Sequence, residues 1–269
     1  MFTLRTFFAS ALLGLCLSSV PALAADTPPP SSEAVQQSLD KIADRKLSAD
    51  DQKALQQVLE QTLTFIAAQK DNQQKLDDLK KQLTDAPRQT SENQHELAKL
   101  KASKPMPVAQ RYANLDVPQL EQILSQRSTQ QSDLQKALND ANSLTITAQT
   151  RPERAQAEIS SAQTRIQTIN SILKSGKDGG KAINADQRNQ FNAELASINA
   201  LIALRRQELA GNSQLQDLGG SQHDLLTEKV SRQDQEIQDL QTLINDKRRA
   251  QSQETVTKLS IEAQKAGGS

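Results

Sequence analysis

Residues 151–175 read RPERAQAEISSAQTRIQTINSILKS, and this stretch decides the fold class. Apolar side chains return in it at alternating intervals of four and three residues. They are Ala155, Ile159, Ala162, Ile166, Ile169 and Leu173. This spacing places them on one face of an α-helix. The line is narrow and contains no aromatic residue, which is typical of the seam between two long helices.

The same spacing recurs along the chain and predicts further helices after Ser48, Asp116 and Asn184, each of which is a good N-cap. The helix seam expected in the second half of the chain consists of Ile159, Ile166, Ile169, Leu173, Leu195, Ile198, Ile202, Val230, Ile237, Leu240 and Ile244. No sustained run of alternating β-branched and aromatic residues indicates a strand. We therefore predict an all-α fold of long antiparallel helical hairpins, with coiled-coil-like packing and an elongated shape.

The composition argues against a globular enzyme. Only 2% of the residues are aromatic, there is no tryptophan, and the mean hydropathy is −0.63. A catalytic pocket needs a thick core of bulky side chains, whereas a helix seam does not. Basic and acidic residues balance at 32 each, so there is no basic excess to bind the phosphates of nucleic acid. These features predict a non-enzymatic protein with a mechanical, spacing or interaction role.

Residues 1–24 have the pattern of a secretory signal peptide. Arg5 precedes an apolar run, and Ala22 and Ala24 form a small-x-small cleavage site before Ala25. The alternative is an uncleaved anchor, although the run is too short for a typical spanning helix. The single cysteine, Cys16, lies inside this segment, so the mature chain contains no disulfide. We expect export to the periplasm, with association with the inner membrane as a further expectation.

The rest of the chain divides at proline and glycine residues. A Pro-rich leader covers residues 25–32, an N-terminal helical hairpin region covers 33–103, a linker covers 104–115, and a helical hairpin bundle covers 116–266. Helix breaks, turns or hinges are expected at Pro87, Pro105, Pro107, Pro152, Gly176, Gly179, Gly180, Gly211, Gly219 and Gly220.

A search for chemical sites finds no catalytic, metal or cofactor-binding residue set. His95 and His223 are far apart and have no cysteine or second histidine at ligand spacing. The glycine-rich stretch 176–181 does not have the spacing of a phosphate-binding loop, and no strand precedes it. The lysines at 99, 101 and 104 suit a solvated helix end better than a contact with anionic lipid.

Three segments carry a resemblance to a known family. Residues 149–156 (QTRPERAQ) resemble a Gln-Thr-x-Pro-Glu-Arg-x-Gln turn, and residues 115–124 (LDVPQLEQIL) resemble a Leu-x-x-x-Gln-Leu-Glu helix start. Residues 209–217 (LAGNSQLQD) are similar to a Leu-x-Gly-Asn-x-x-Leu-Gln segment. The segments occur in the order found in the periplasmic part of large, MscK-like channels of the MscS superfamily, the region called the MscS porin domain.

The resemblance implies a helical periplasmic region that acts as the sensor or scaffold arm of a mechanosensitive channel. The sequence reaches Ser269 without the inner-membrane domain, pore helix or cytoplasmic vestibule of the family. Expected partners are therefore an inner-membrane channel domain, either downstream in the same gene or in homologous subunits, and other envelope proteins. The alternative interpretation is a stand-alone periplasmic coiled-coil adaptor or spacer.

Overall fold

A computed structural model describes residues 27–268, most of which lie in three long helices. In chain order the elements are α1 (Ser32–Asp40), a 3-10 turn (Ile42–Arg45), α2 (Ala49–Ala102), α3 (Val108–Arg111), α4 (Val117–Ser175), β1 (Lys177–Asp178), β2 (Lys181–Ala182) and α5 (Ala185–Gly267). The signal-peptide prediction, including Ala22, Ala24 and Ala25, falls outside the described residues.

The three long helices begin at the N-caps predicted from the sequence. The Ser48 hydroxyl accepts a hydrogen bond from the backbone N–H of Asp51. Asp116 and Asn184 each form a capping box, because the glutamine three residues later bonds back to the backbone of the cap. Such caps satisfy N–H groups that have no partner within the helix. The predicted starts of α2, α4 and α5 are thus confirmed.

Helix α5 lies between α2 and α4 and packs along both of them. The α4–α5 pair is antiparallel, since the ion pair Arg165–Glu194 forms near the turn between the helices. Helix α2 runs parallel to α5, as shown by hydrogen bonds from Gln190 to Gln61 at one level and from Asn93 to Ser221 at another. Helices α4 and α5 therefore form an antiparallel hairpin, and α2 packs parallel to α5.

The molecule is all-α and elongated, as predicted. Helix α5 contains 83 residues, which at about 1.5 Å per residue makes it roughly 125 Å long. Every residue of its last stretch, residues 249–267, is exposed. We call this stretch the projecting end.

Several predicted breaks are wrong, because the helices continue through them. Pro87 lies inside α2 and Pro152 inside α4, while Gly211, Gly219 and Gly220 lie inside α5. An interior proline removes one backbone hydrogen bond, and a glycine costs about 1 kcal/mol relative to alanine. Neighbouring helices that pack over many turns outweigh these local penalties.

The other proline and glycine positions do lie in connections. Pro105 and Pro107 fall between α2 and α3. Gly176, Gly179 and Gly180 all have positive φ angles, from 57° to 82°, in the turn between α4 and α5. That turn contains the two-residue ribbon of β1 and β2. Glycine adopts this left-handed conformation without the steric penalty that a side chain would bring.

The buried apolar side chains form three separate clusters along the molecule. One lies near the turn end and contains Val35, Leu55 and Leu59. A second lies at mid-length and contains Leu79, Leu83, Ala148, Leu204 and Leu215. A third contains Val108, Val117, Leu120, Leu240 and Ile244. Within residues 27–268 these clusters do not merge into a single thick core, which agrees with the small number of aromatic residues.

Candidate functional site

All three long helices meet at the mid-length cluster, which we call the waist. Helix α2 contributes Leu79 and Leu83, α4 contributes Ala148, and α5 contributes Leu204 and Leu215. Each of these side chains is at most 8% exposed. The waist is the place where a relative movement of any one helix must disturb the other two.

Gly211 allows α2 to approach α5 closely at the waist. A Cβ atom added at this position would overlap with both δ-carbons of Leu83 and would lie 2.9 Å from its Cγ. Real side chains essentially never reach such distances, and Leu83 is itself buried. The absence of a side chain at Gly211 therefore creates the socket that receives Leu83.

Gly219 has the same role on the side of α4. A Cβ atom here would lie 2.7 Å from the hydroxyl oxygen of Thr145 and 3.4 Å from its backbone nitrogen. Gly211 and Gly219 are both buried and together bring α5 close to α2 on one side and to α4 on the other. These glycines are sites of close packing and not helix ends.

Pro152 leaves a backbone carbonyl free on the face of α4 that meets α5. In an unbroken helix the N–H of residue 152 would bond to the carbonyl of Ala148, and proline has no N–H. In the structure this carbonyl accepts a hydrogen bond of 2.7 Å from the side-chain amide of Asn212 and a longer one, 3.4 Å, from that of Gln216. We call these two bonds the clasp.

The clasp fixes the register of α4 against α5. Asn212 is only 8% exposed and Ala148 only 1% exposed, so the shorter bond is shielded from water. A buried carbonyl without a partner costs about 1–3 kcal/mol, and a slide of one helix turn would leave Ala148 in that state. Pro152 and Asn212 thus act together across two helices.

Ion pairs support the packing between the waist and the turn that joins α4 to α5. Arg165 binds Glu194 through two nitrogens, at 2.7 and 3.0 Å. Hydrogen bonding to Glu194 raises the pKa of Arg165 above its usual value, so the arginine stays charged at any physiological pH. Arg45 makes a similar contact with Asp186, at 2.7 Å, which ties the start of α5 to the segment before α2.

At the cluster farthest from the turn, the segment that connects α2 to α4 is bonded to α5. Arg111 in α3 pairs with Glu236 at 2.6 Å and donates to the carbonyl of Met106. Lys247 donates to the carbonyls of Ala113, at 2.8 Å, and of Leu115. The linker that holds Pro105 and Pro107 is therefore fastened to α5 through its backbone.

The predicted seam residues all lie at least partly buried. Ile169, Leu195, Ile202, Leu240 and Ile244 are buried. Ile159, Ile166, Leu173, Ile198, Val230 and Ile237 are half-buried. Sequence reasoning missed the contributions of Ala148 and Leu215, and above all the polar clasp. The available signal was the i−4 relation between Pro152 and Ala148, together with an asparagine in an apolar line.

The described residues contain grooves between the helices but no cluster of metal ligands. Within residues 27–268, no three His, Cys, Asp or Glu side chains come together as metal ligands. Several open grooves lie between the helices, and their walls mix polar side chains such as Gln94 with leucines such as Leu97 and Leu218. None of the helices described is long and apolar enough to cross a lipid bilayer. What the geometry can do is hold three helices in one register over a long distance.

These features define an elongated, helical domain with interlocked helices. The family model described as the mechanosensitive ion channel porin domain matches residues 38–269. The chain belongs to this family, which is a family of channel domains and not of enzymes.

Two curated relatives are similar to the chain. It is 30% identical over 260 residues to the mechanosensitive channel MscK of Escherichia coli strain K12, a match that covers 94% of this chain and 23% of the relative. It is 32% identical over 137 residues to an uncharacterized MscS family protein of Haemophilus influenzae, covering 51% of this chain and 12% of that protein. The chain thus spans less than a quarter of the length of either relative. No solved structure gives a significant match.

Two of the three segments that carry the family resemblance meet at the clasp. Residues 149–156 contain Pro152, and residues 209–217 contain Gly211, Asn212 and Gln216. The third segment, residues 115–124, contains Leu120 of the far cluster. Segments that looked like separate helix breaks in the sequence are two halves of one contact.

Proposed function

We propose that this chain is the non-catalytic periplasmic arm of an MscK-like mechanosensitive channel, and that it couples the envelope to gating. The proposal is supported by membership of a channel-domain family and by the similarity to a mechanosensitive channel over nearly the whole chain. The mechanism rests on α5, which is one uninterrupted helix of 83 residues. Helices α2 and α4 pack against it along most of its length.

A continuous helix fastened to two others behaves as a stiff lever. Packing and the clasp at the waist resist sliding of α4 along α5, so a force applied at one end moves the whole arm. The projecting end continues this lever beyond the packed region. We infer that the arm's partners are an inner-membrane channel domain, in the same polypeptide or in homologous subunits, and other envelope proteins.

The channel-arm proposal requires export, which rests on the signal-peptide pattern of residues 1–24. Addition of protease to spheroplasts should digest the domain, while intact cells should protect it. Protection in spheroplasts would place the domain in the cytoplasm and would contradict the proposal.

The gating role is tested by patch clamp on spheroplasts of the source organism. We would compare cells with the intact gene and cells in which the codons for residues 27–268 are deleted in frame. A coupled arm predicts that channel openings persist but that the pressure threshold shifts. An unchanged threshold, with the protein still exported, would contradict the channel arm and favour the stand-alone spacer.

A further inference from the structure

The outward face of α5 carries a second regular line of residues, most of which are exposed. Its members follow intervals of four, three, four, three and four residues, the pattern of a coiled-coil seam. They are Arg206, Ala210, Ser213, Asp217, Gly220 and Asp224. Five of them are exposed and Gly220 is partly exposed. The line has the spacing of a seam but not its apolar composition, so a partner would have to match it by charge and shape.

No close packing among residues 27–268 requires a glycine at position 220. Cβ atoms at Gly211 and Gly219 would collide with other helices, whereas a Cβ atom at Gly220 would meet nothing within 4 Å. A glycine in the middle of a helix is nevertheless unfavourable relative to alanine. A close approach by a partner from outside the chain would account for a glycine at this position.

The surface beside Gly220 contains a notch that a partner could fill. A notch of about 380 Å³ lies between α2 and α5, next to Gly220, with Gln94 and Asp217 on its walls. The hydroxyl oxygen of Thr90, which also lines this notch, is buried and has no hydrogen-bond partner among residues 27–268. A buried hydroxyl of this kind is normally satisfied, so a polar group from outside would complete it.

We propose that a second copy of this chain packs against this face, with the two α5 helices antiparallel. Turning one α5 about the level of Leu215 places Arg206 of each copy opposite Asp224 of the other, because the two positions are nine residues on either side. The same operation places Ala210 opposite Gly220, and Ser213 opposite Asp217. Opposite charges then meet at both ends of the contact, and small side chains meet in the middle.

The charges select this orientation over the parallel one. In a parallel, in-register pair, each of Arg206, Asp217 and Asp224 would face its own copy, and like charges at close range repel. Arg206 makes no ion pair within the described residues and is free to pair between copies, whereas Asp224 contacts the ring of its neighbour His223 at 3.3 Å, a contact that Arg206 of the other copy would have to replace. The chain also has no net charge that would oppose self-association. The antiparallel contact is independent of the channel-arm proposal.

The test traps the contact by disulfide formation, since a single pair of helices makes a small interface that dissociates readily. Full-length protein with Cys16→Ser has no other cysteine. In that background, chains carrying Ala210→Cys and chains carrying Gly220→Cys are mixed in equal amounts and oxidised mildly. We expect the mixed 210–220 dimer to exceed either homodimer about tenfold.

Charge reversal supplies the matched control. Arg206→Asp in both chains should reduce the mixed dimer at least several-fold, and adding Asp224→Arg should restore it. Both positions are exposed, so thermal melting followed by circular dichroism should be unchanged. A 220–220 homodimer as the main product would indicate a parallel contact, and a monomer under all conditions would indicate no contact. Either result would overturn the proposal, whatever the outcome of the gating experiment.

Discussion

The waist and the projecting end are both parts of long helices, yet different forces hold them. At the waist, side chains from three helices are almost completely buried, and Asn212 closes a backbone bond that Pro152 leaves open. In the projecting end every residue is exposed, including Val256 at 66% and Leu259 at 60%. There the helix relies on its own backbone bonds and on pairs such as Glu254–Lys258.

The comparison shows that helix-breaking residues can occur where packing is tight. Pro152 and Gly211 lie at the waist, inside helices that continue through them. The projecting end has no proline and no glycine before its last residue, Gly267. An isolated helix depends on favourable propensity, whereas a packed helix tolerates a proline or glycine that improves its fit to a neighbour.

The largest expected difference between the two regions comes from truncating a leucine in each. Leu215→Ala should destabilise the fold by about 2–5 kcal/mol, because Leu215 is 1% exposed in the waist. Leu259→Ala in the projecting end should change stability by less than about 0.5 kcal/mol. Urea denaturation followed by circular dichroism measures both. Similar losses in the two variants would show that the projecting end packs against something that we have not identified.

A second contrast compares two glycines nine residues apart in α5. Gly211→Ala should cost about 1–3 kcal/mol, since the new methyl group overlaps with Leu83. Gly220→Ala should instead stabilise the monomer by up to about 1 kcal/mol, because its methyl group meets nothing and alanine favours helix. The melting temperatures of the two variants should move in opposite directions. A stabilising Gly211→Ala would mean that α2 does not approach α5 as closely as described.

The smallest expected effects come from ion pairs. Arg165→Gln removes the bidentate pair with Glu194 and should cost at most about 1 kcal/mol, since the arginine is 44% exposed. Lys258→Gln, which removes the pair with Glu254 in the projecting end, should cost about 0.3–0.5 kcal/mol of local helix stability at most. Melts at low and high salt check both values, because salt should shrink each difference. A loss at Arg165 that is large and insensitive to salt would indicate a packing role.

Much of the architecture could be predicted from the sequence. The alternating spacing around Ile169 gives the long helices, and the Ser48, Asp116 and Asn184 caps give their starts. These signals are local, since periodicity and capping depend on residues within a few turns of one another. The lack of aromatic residues correctly indicated a thin, elongated molecule.

The waist could not be predicted in the same way, because its contacts join residues that are far apart in the sequence. Rules for proline and glycine describe an isolated helix, and on those rules Pro152 and Gly211 end helices. The carbonyl of Ala148 is satisfied by Asn212, which lies 64 positions later in the chain. The parallel packing of α2 on α5 is equally hidden, since connection lengths restrict only consecutive helices.

The most direct test of the account is a double-mutant cycle between Pro152 and Asn212. Our central claim is that Asn212 satisfies the carbonyl that Pro152 leaves free. Asn212→Leu is therefore expected to cost more with Pro152 present than in a Pro152→Ala background, where the restored N–H of residue 152 can bond to Ala148 itself. Four urea denaturation curves give the two costs.

We expect a coupling free energy of about 1–2 kcal/mol, the range expected for residues that share one hydrogen-bonded group. The control cycle pairs Pro87→Ala with Asn212→Leu and should be additive, since Pro87 is exposed and lies on another helix. A Pro152–Asn212 coupling below about 0.5 kcal/mol would show the two residues to be independent. That result would contradict the clasp and, with it, the interlocked arm.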